Sequence, residues 1–154
     1  MNPRHILLPT DLSEVSLRPL EHNPELFEGR QVTLLSVVPN FPVLAPASPF
    51  APPVDSPDLG PRMESAREGL KAIADRFPAN ADVRTEAIAE RDSGPAIAHW
   101  ARDNEVDLIV VSTHGRTGFR RLTLGSVAES VLRHATVPVL AFPDKDAHKK
   151  EGHS

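Results

Sequence analysis

The chain contains no cysteine among its 154 residues. This absence excludes disulfides, thiolate metal sites and a cysteine nucleophile, and it leaves the redox compartment unconstrained. Lysine is also scarce, since the chain has only Lys71, Lys145, Lys149 and Lys150. None of these lysines is near the glycine-containing segment at residues 112–126, so the sequence lacks a Walker A lysine, the residue that binds phosphates in P-loop proteins.

An excess of positive charge and a long apolar run are also missing. The net charge is −4 at pH 7, whereas non-specific binding to nucleic acid depends on a basic surface. No apolar run reaches the roughly 18 residues of a membrane-spanning helix, and residues 1–5 do not open a hydrophobic leader. We therefore expect no nucleic-acid partner, no membrane contact and a cytoplasmic location.

The composition is typical of one globular domain. Apolar residues make up 40% of the chain and charged residues 25%, which suits a single hydrophobic core at this length. We expect this domain to cover residues 1–143. Residues 144–154 are charged and polar, and we expect them to form a disordered tail.

Residues 106–111 form a short apolar run rich in β-branched side chains, which indicates a parallel strand buried on both faces. Ser112-Thr113-His114-Gly115 follows directly, and Gly125-Ser126 stands nine residues further on. A loop beyond such a strand presents backbone N–H groups, and a following helix adds the positive end of its dipole. The segment is therefore a candidate phosphate site in an α/β protein.

Gly125-Ser126 opens a helix whose apolar residues recur at helical spacing. These residues are Leu124, Val127, Ala128, Val131, Leu132 and Ala135. Glu129 follows Ser126 by three residues, which is the capping-box pattern. The Ser126 hydroxyl therefore has two interpretations, as a helix cap or as a phosphate donor.

Strands and helices alternate along the chain. Strands are predicted at residues 6–8, 32–38, 83–89, 106–111 and 137–142, and helices at about residues 13–27, 62–77, 93–104 and from 125 onward. Pro19 and Pro24 should break or kink the first helix, and Ser93-Gly94-Pro95 predicts a helix start with proline at the first helical position. Five strands alternating with four helices predict an α/β fold, a doubly wound parallel sheet with helices on both faces.

The segment between the second strand and the second helix is rich in proline. Eight of the 23 residues at positions 39–61 are prolines, which favour extended conformations over a packed element. Three interpretations remain open for this loop: a flap over a bound ligand, a docking segment for a partner, or a mobile connection.

Asp11 stands in the turn after the first strand, with Glu14 three residues later. Its carboxylate has two interpretations, as the N-cap of the first helix or as a ligand group. Spacing alone does not separate these two roles.

Residues 112–142, with the sequence STHGRTGFRRLTLGSVAESVLRHATVPVLAF, resemble the carboxyl-terminal signature of the universal stress protein family. Residues 5–14, which include ILLPTDLSE, resemble the first strand of that family and the acidic turn after it. With residues 32–38 as the second strand, the likeness spans about residues 4–142. It implies a Rossmann-like sheet in the order 3-2-1-4-5, whose ligand crevice opens between strands one and four.

Members of this family that bind ATP carry a glycine, two residues, a second glycine, nine residues, and then glycine with serine or threonine. This chain departs from the pattern at the first position, where Ser112 replaces glycine. The added Cβ costs free energy if the position needs a positive φ, and the hydroxyl offers a new donor to a phosphate. The resemblance implies ATP, with or without Mg²⁺, as the ligand.

The resemblance also implies roles for individual residues. Pro9, Thr10 and Asp11 line the adenosine end, the Val37 backbone bonds the adenine, Val111 and Ser112 contact the ribose, and Gly115, Arg116, Gly125, Ser126 and Val127 hold the phosphates. His114 belongs to the same nucleotide loop, and a lone loop histidine without a serine or carboxylate partner does not indicate catalysis. We predict no catalytic residue and no metal-binding side chain.

Strand five has Pro138 near its start and Pro143 at its end, which indicates the edge of a sheet. Universal stress proteins commonly dimerise through this strand. The resemblance therefore implies a homodimer in which residues 137–142 of two copies cover each other.

Three functions remain open from the sequence. The first is a stress-response regulatory dimer in which a bound adenine nucleotide stabilises one conformation for partners to recognise. The second is an adaptor of the same fold that binds no nucleotide. The third is an enzyme of the wider adenine-nucleotide α-hydrolase-like group, but residues 9–13 supply neither the glycine- and serine-rich loop nor the histidine motifs of such enzymes, so any ATP hydrolysis should be slow.

Overall fold

Five parallel strands form one sheet, in the order β3-β2-β1-β4-β5, in a computed structural model that describes residues 1–43, 50–113 and 125–143. The strands are β1 (His5–Pro9), β2 (Gln31–Pro39), β3 (Asp82–Glu90), β4 (Leu108–Ser112) and β5 (Val139–Phe142). This order confirms the doubly wound α/β fold, and it leaves β3 and β5 at the two edges. The tail, residues 144–154, lies outside the described residues.

The helices are α1 (Arg18–His22), α2 (Leu59–Ala74), α3 (Ser93–Asp103) and α4 (Ser126–His134). Short 3₁₀ turns at Val15–Leu17 and Pro24–Leu26 flank α1. The expectation that two prolines break the first helix is thus confirmed. The prolines open new turns there, because the first residues of a helical turn need no N–H.

Helix α3 begins at Ser93 as predicted, whereas the start of α2 and the place of Pro95 within α3 were wrong by a few residues. Helix α2 begins at Leu59 and ends at Ala74, so Pro61 lies in its first turn instead of closing the loop. In α3 the N-cap is Asp92, and Pro95 stands third in the helix, not first. Both shifts have one cause: the first turn of a helix tolerates proline at each of its early positions, since those N–H groups have no partner inside the helix.

Helix α4 corrects two further expectations. Its N-cap is Gly125, so Ser126 is the first helical residue and the predicted capping box with Glu129 does not form. Glu129 instead pairs with Arg133 one turn later, at 2.9 Å. Ala128 and Val131 are buried against the sheet, whereas Val127 and Leu132 are 45% and 43% exposed, because a short helix at the end of a sheet covers it with a narrow face.

The start of β4 is tied to the start of β1 by Asp107, a residue predicted to lie inside the strand. Its Oδ2 accepts the N–H groups of Arg4 and His5, both at 2.9 Å. These two backbone donors lower the pKa of the Asp107 carboxyl below its usual value, and the N–H of His5 has the larger effect. Strand β5 begins later than predicted, since Pro138 contributes only its carbonyl, which accepts the N–H of Ile109 at 2.9 Å.

The core has two halves, one on each face of the sheet. On the first face, helices α1 and α2 cover the strands, and the rings of Phe27 and Phe77 meet edge to face at 5.2 Å. On the second face, α3 and α4 pack over β1, β2 and β4 through residues such as Ile97 and Val131. The two helix layers bury both faces of β1 and β4, as the apolar sequences of these strands predict.

The two ends of the proline-rich loop return to each other at the carboxyl end of β2. Val43 and Val54 exchange N–H···O bonds of 3.0 Å, and the Asn40 amide donates to Asp55 at 2.9 Å. Arg62 on α2 donates to the carbonyl of Pro39 at 2.7 Å. Residues 40–43 and 50–58 are therefore hydrogen-bonded to each other next to the end of β2. Residues 44–49 lie outside the described part of the chain.

Candidate functional site

Strands β1 and β4 separate at their carboxyl ends and open a crevice. They pair only through Ile6 and Leu7 of β1, while β1 remains paired with β2 as far as Pro9, opposite Leu35. Pro9 has no N–H, so it cannot extend the ladder as a donor. Strand order also reverses at this point, which is where doubly wound sheets bind their ligands.

A cavity of about 250 Å³ occupies this crevice, slightly smaller than the roughly 300–1,000 Å³ of typical small-molecule sites. Nine of the twelve predicted ligand residues line it: Pro9, Thr10, Asp11, Val37, Val111, Ser112, Gly125, Ser126 and Val127. The other three, His114, Gly115 and Arg116, lie outside the described residues. The structure thus brings together at one cavity every predicted site residue that it describes.

The turn after β1 forms one wall and is held by hydrogen bonds of Thr10. This side chain is buried, and its hydroxyl bonds that of Ser16 at 2.7 Å and accepts the N–H of Leu12 at 3.0 Å. Its backbone N–H donates to the Leu35 carbonyl at 2.9 Å. The hydroxyl and the N–H of Thr10 are thus both bonded within the protein, and these bonds hold the turn in place beside the cavity.

Asp11 does not cap a helix, which corrects one of its two interpretations. Its Oδ1 accepts the N–H of Ser13 at 2.9 Å and also the Ser13 hydroxyl, an Asx-type turn. The first helical turn begins later, at Val15, with Glu14 at its N-cap. The exposed Asp11 carboxylate therefore stands at the cavity on a turn that its own hydrogen bonds define.

The backbone of Val37 faces the cavity. In β2, the Leu35 carbonyl bonds toward β1, whereas the Asn40 N–H bonds toward β3. Since peptide groups of alternate residues in a strand point to opposite neighbours, Val37 directs its N–H and C=O to the same side as Leu35. Strand β1 has already ended there, so, within the described ladder, this donor and acceptor have no strand partner.

Ser112 contributes a buried hydroxyl at the end of β4. Its Oγ has no hydrogen-bond partner within residues 1–43, 50–113 and 125–143. Among those residues, the non-glycine positions with positive φ are Leu12 and Glu105, so Ser112 does not occupy the left-handed region. The replacement of glycine by serine therefore carries no backbone penalty here, and it places a polar atom where a ligand can satisfy it.

Two helix N-termini lie at the cavity, and only the N-terminus of α4 was predicted from the sequence to lie there. Gly125 and Ser126 begin α4, and Ser93 begins α3. The helices pack so closely that a Cβ on Gly94 would overlap the side chain of Ser130 and lie 3.1 Å from its carbonyl carbon. The positive ends of the α3 and α4 dipoles therefore lie at the same cavity, which favours an anionic ligand.

Five lining residues were missed by sequence reasoning: Ser16, Leu35, Ser93, Ile97 and Ala128. Leu35, Ile97 and Ala128 were indistinguishable from core residues, because they belong to the buried stripes of their elements. Ser93 did carry a signal. It follows β3, and the carboxyl ends of all parallel strands meet at one rim of the sheet, so the start of α3 lies on the same rim as the phosphate loop.

Within the described ranges, no group of three or more His, Asp or Glu side chains is arranged to hold a metal ion. No helix in those ranges combines the length and the apolar composition needed to cross a membrane.

The fold and its crevice define a doubly wound α/β protein with a ligand cavity at the switch point of the sheet. Residues 2–143 match the model of the universal stress protein family. The chain belongs to the universal stress protein family.

Relatives and solved structures agree with this assignment. Universal stress protein MJ0531 of Methanocaldococcus jannaschii is 31% identical over 89% of this chain and 80% of its own length. Universal stress protein A homolog 2 of Coxiella burnetii is 34% identical over 91% of this chain and 94% of its own. The structure of MJ0577 from M. jannaschii is 23% identical with a TM-score of 0.71, over 92% of this chain and 96% of its own.

Two further structures share the fold and contain nucleotides. A universal stress protein in complex with cAMP is 19% identical, with a TM-score of 0.65 over 92% of this chain and 97% of its own. A universal stress protein family protein from Arabidopsis thaliana with AMP bound is 18% identical, with a TM-score of 0.61 over 94% of each chain. At these identities the likeness concerns the fold alone.

Proposed function

We propose that the protein binds an adenine nucleotide, ATP in particular, in the cavity between β1 and β4. The observation that carries this proposal is the pairing of two features in one small cavity. An unpartnered peptide donor and acceptor at Val37 suits the edge of a base, and the paired N-termini of α3 and α4 suit an anion. The cAMP and AMP complexes of two structural neighbours support the same ligand class.

Three groups of cavity residues contact the three parts of the nucleotide, namely the adenine, the ribose and the phosphates. The adenine edge bonds the Val37 peptide, and Pro9 and Thr10 support the base from the end of β1. The ribose lies between Asp11 and Ser112, where the carboxylate accepts and the serine hydroxyl donates. The phosphates lie at Gly125 and Ser126, with Val127 beside them and the His114-Gly115-Arg116 segment completing the loop. Mg²⁺, if present, binds through the phosphates.

The role that fits this cavity is regulatory. A nucleotide that binds only the folded form stabilises it by about 2.7 kcal/mol when its concentration is a hundred times its dissociation constant. We propose that this stabilisation fixes one shape of a cytoplasmic stress-response homodimer, which partners then recognise. Turnover of ATP is slow or absent.

The test of this proposal is to denature the purified protein and identify the released small molecules by mass spectrometry. We expect ATP or another adenine nucleotide in amounts comparable to the protein, and a rise in melting temperature when ATP is added to the emptied protein. Absence of both signals would contradict nucleotide binding and favour an adaptor of the same fold, with the proline-rich loop as its partner surface.

Ser112→Ala is expected to weaken ATP binding without weakening the empty protein. When the protein folds, the Ser112 hydroxyl loses its hydrogen bonds to water, and without a ligand it gains no replacement. For such a group this costs about 1–3 kcal/mol of stability. Its removal should leave the unfolding free energy unchanged or slightly raised, while the dissociation constant for ATP rises by about five- to ten-fold. Denaturant titration and calorimetry measure the two quantities.

Ser112→Thr is the matched control for this variant, because it keeps the hydroxyl and suits a strand. We expect it to retain most of the affinity for ATP. Equal affinities for the alanine variant and the wild type would show that the hydroxyl does not contact the ligand.

The homodimer is proposed to form through the free edge of β5. The Pro138 and Phe142 carbonyls bond toward β4, so the alternating peptide of Ala141 points outward. Ala141→Pro removes this outward N–H and spares the β4 ladder, and we expect it to convert the dimer to a monomer. Light scattering should give twice the 16.8 kDa chain mass for the wild type and the chain mass for the variant.

Thr85→Pro provides the control on the opposite edge, since Thr85 faces outward from β3 in the same way. This variant should stay dimeric. A monomeric wild type, or loss of the dimer in Thr85→Pro alone, would contradict dimerisation through β5.

A further inference from the structure

The turn that carries Asp11 contacts helix α2 through the side chain of Leu12, which packs against Gly69. We propose that Gly69 is a positioning residue for the ligand cavity, because it forms a notch that receives the Leu12 side chain and so holds the turn of residues 10–13. This inference rests on the proposed function for its effect on binding. The contact itself is a property of the chain without ligand.

The notch is defined by a missing Cβ. An atom added at Gly69 would lie 2.8 Å from Cδ1 of Leu12, 3.3 Å from its Cδ2 and 3.6 Å from its Cγ. The two Cδ distances are shorter than ordinary van der Waals contact, so the Leu12 side chain occupies the space of a Cβ. Glycine is unfavourable in the middle of a helix, and Gly69 stands in the interior of α2. Contact with Leu12 is the packing reason for its presence.

Leu12 is held in an uncommon backbone conformation. Its φ is +70°, a region that residues with a Cβ rarely occupy unless their surroundings fix them. The side chain packs against the core under α1 and α2, and Gly69 receives its end. The anchored side chain thus stabilises a backbone geometry that the sequence would otherwise disfavour.

This backbone geometry is what presents Thr10 and Asp11 to the cavity. The Leu12 N–H donates to the Thr10 hydroxyl at 3.0 Å, and the next N–H, of Ser13, donates to Asp11 at 2.9 Å. Both acceptor residues line the cavity. A shift of Leu12 therefore moves the peptide groups to which both are bonded, although Gly69 lies on α2 and does not line the cavity.

The test compares two alanine variants of the same helix. Gly69→Ala closes the notch, whereas Gly60→Ala adds a Cβ with nothing within 4 Å. Gly60→Ala should leave the resistance to urea nearly unchanged, whereas Gly69→Ala combines a gain in helix propensity with a loss of Leu12 packing. Only Gly69→Ala should weaken ATP binding, by about five- to ten-fold, which is the effect of losing one well-placed hydrogen bond. If Gly69 served folding alone, Gly69→Ala would change the resistance to urea and leave the affinity of the folded protein for ATP unchanged.

Hydrogen exchange supplies a readout that needs no ligand. In Gly69→Ala, the amide protons of Leu12 and Ser13 should exchange faster than in the wild type and in Gly60→Ala. Leu12→Ala removes the atoms that the new Cβ meets, so adding Gly69→Ala to it should cost no further affinity. Such non-additivity is the mark of two residues that act through one contact.

The outcomes separate the two proposals. Wild-type affinity in Gly69→Ala, unchanged exchange at Leu12 and Ser13, or fully multiplicative losses in the double variant would overturn the positioning role while leaving nucleotide binding intact. A wild-type protein that binds no adenine nucleotide would overturn the proposed function and, with it, the binding role of Gly69.

Discussion

Gly94→Ala is expected to lower the free energy of unfolding by roughly 2–3 kcal/mol, the upper part of the range for forcing extra atoms into a packed core. The new Cβ would overlap the side chain of Ser130 and approach its carbonyl carbon to 3.1 Å. The overlapping atoms include the Cβ of Ser130, and because a Cβ is fixed to the helix backbone, no change of side-chain rotamer removes this overlap. Helix α4 must therefore retreat from α3, and chemical denaturation measures the cost.

The same retreat should abolish nucleotide binding, because it separates the two helix N-termini at the cavity. Ser130→Gly in the Gly94→Ala background removes the overlapping side chain, so we expect it to restore part of both stability and binding. Gly60→Ala, whose Cβ meets nothing within 4 Å, is the control. A Gly94→Ala variant as stable as the wild type would show that α3 and α4 are not in close contact.

Val37→Pro is expected to reduce the affinity for ATP by at least about 100-fold, since a buried base left without its hydrogen-bonding partner is strongly disfavoured. Proline has no N–H, and its ring would occupy the space where the Val37 donor meets the base. The Val37 N–H points toward the β1 side of β2, where the pairing with β1 ends at Leu35. The substitution therefore removes no ladder hydrogen bond. The fold should therefore persist, as circular dichroism and calorimetry together can verify.

Two neighbouring variants make this prediction specific. Val37→Ala keeps the peptide donor and should retain affinity close to that of the wild type. Val38→Pro removes a donor that faces β3, and it should cost about 1–3 kcal/mol of stability, because a carbonyl of β3 loses its hydrogen bond. If Val37→Pro binds ATP as well as Val37→Ala does, the backbone of β2 does not recognise the base.

The fold could be predicted because its signals are local. Short, mainly apolar runs located β1, β2, β4 and β5, and the alternation of strands with helices predicted the parallel sheet. The errors fall at element ends. Pro61 and Pro95 were expected to mark a loop end and a first helical position, but the early positions of a helix tolerate proline equally well.

The candidate site could be predicted in part. Residues next to a strand end, such as Asp11 and Ser112, are placed by the strand itself. Ser93 also follows a strand end, that of β3, but it was missed because the Ser93-Gly94-Pro95 sequence indicates only a helix start. The contact between Leu12 and Gly69 was beyond sequence reasoning, since it joins two faces of different elements and depends on a positive φ at a leucine.

Ser112 shows how a structure can resolve an ambiguity of sequence. A serine in place of a motif glycine suggests loss of function if the glycine is needed for its backbone. The positive φ values among the described non-glycine residues belong to Leu12 and Glu105, so this explanation fails at Ser112. The substitution adds a buried hydroxyl without strain, and we interpret it as a change in how the ligand is held.

Calorimetric titration of the nucleotide-free wild type with ATP is the most direct measure of whether this cavity is a nucleotide site. We expect saturable binding with equimolar stoichiometry, weaker binding of GTP, and loss of the signal in Val37→Pro. A flat titration with ATP, AMP and cAMP alike, in protein shown to be folded and empty, would contradict nucleotide binding.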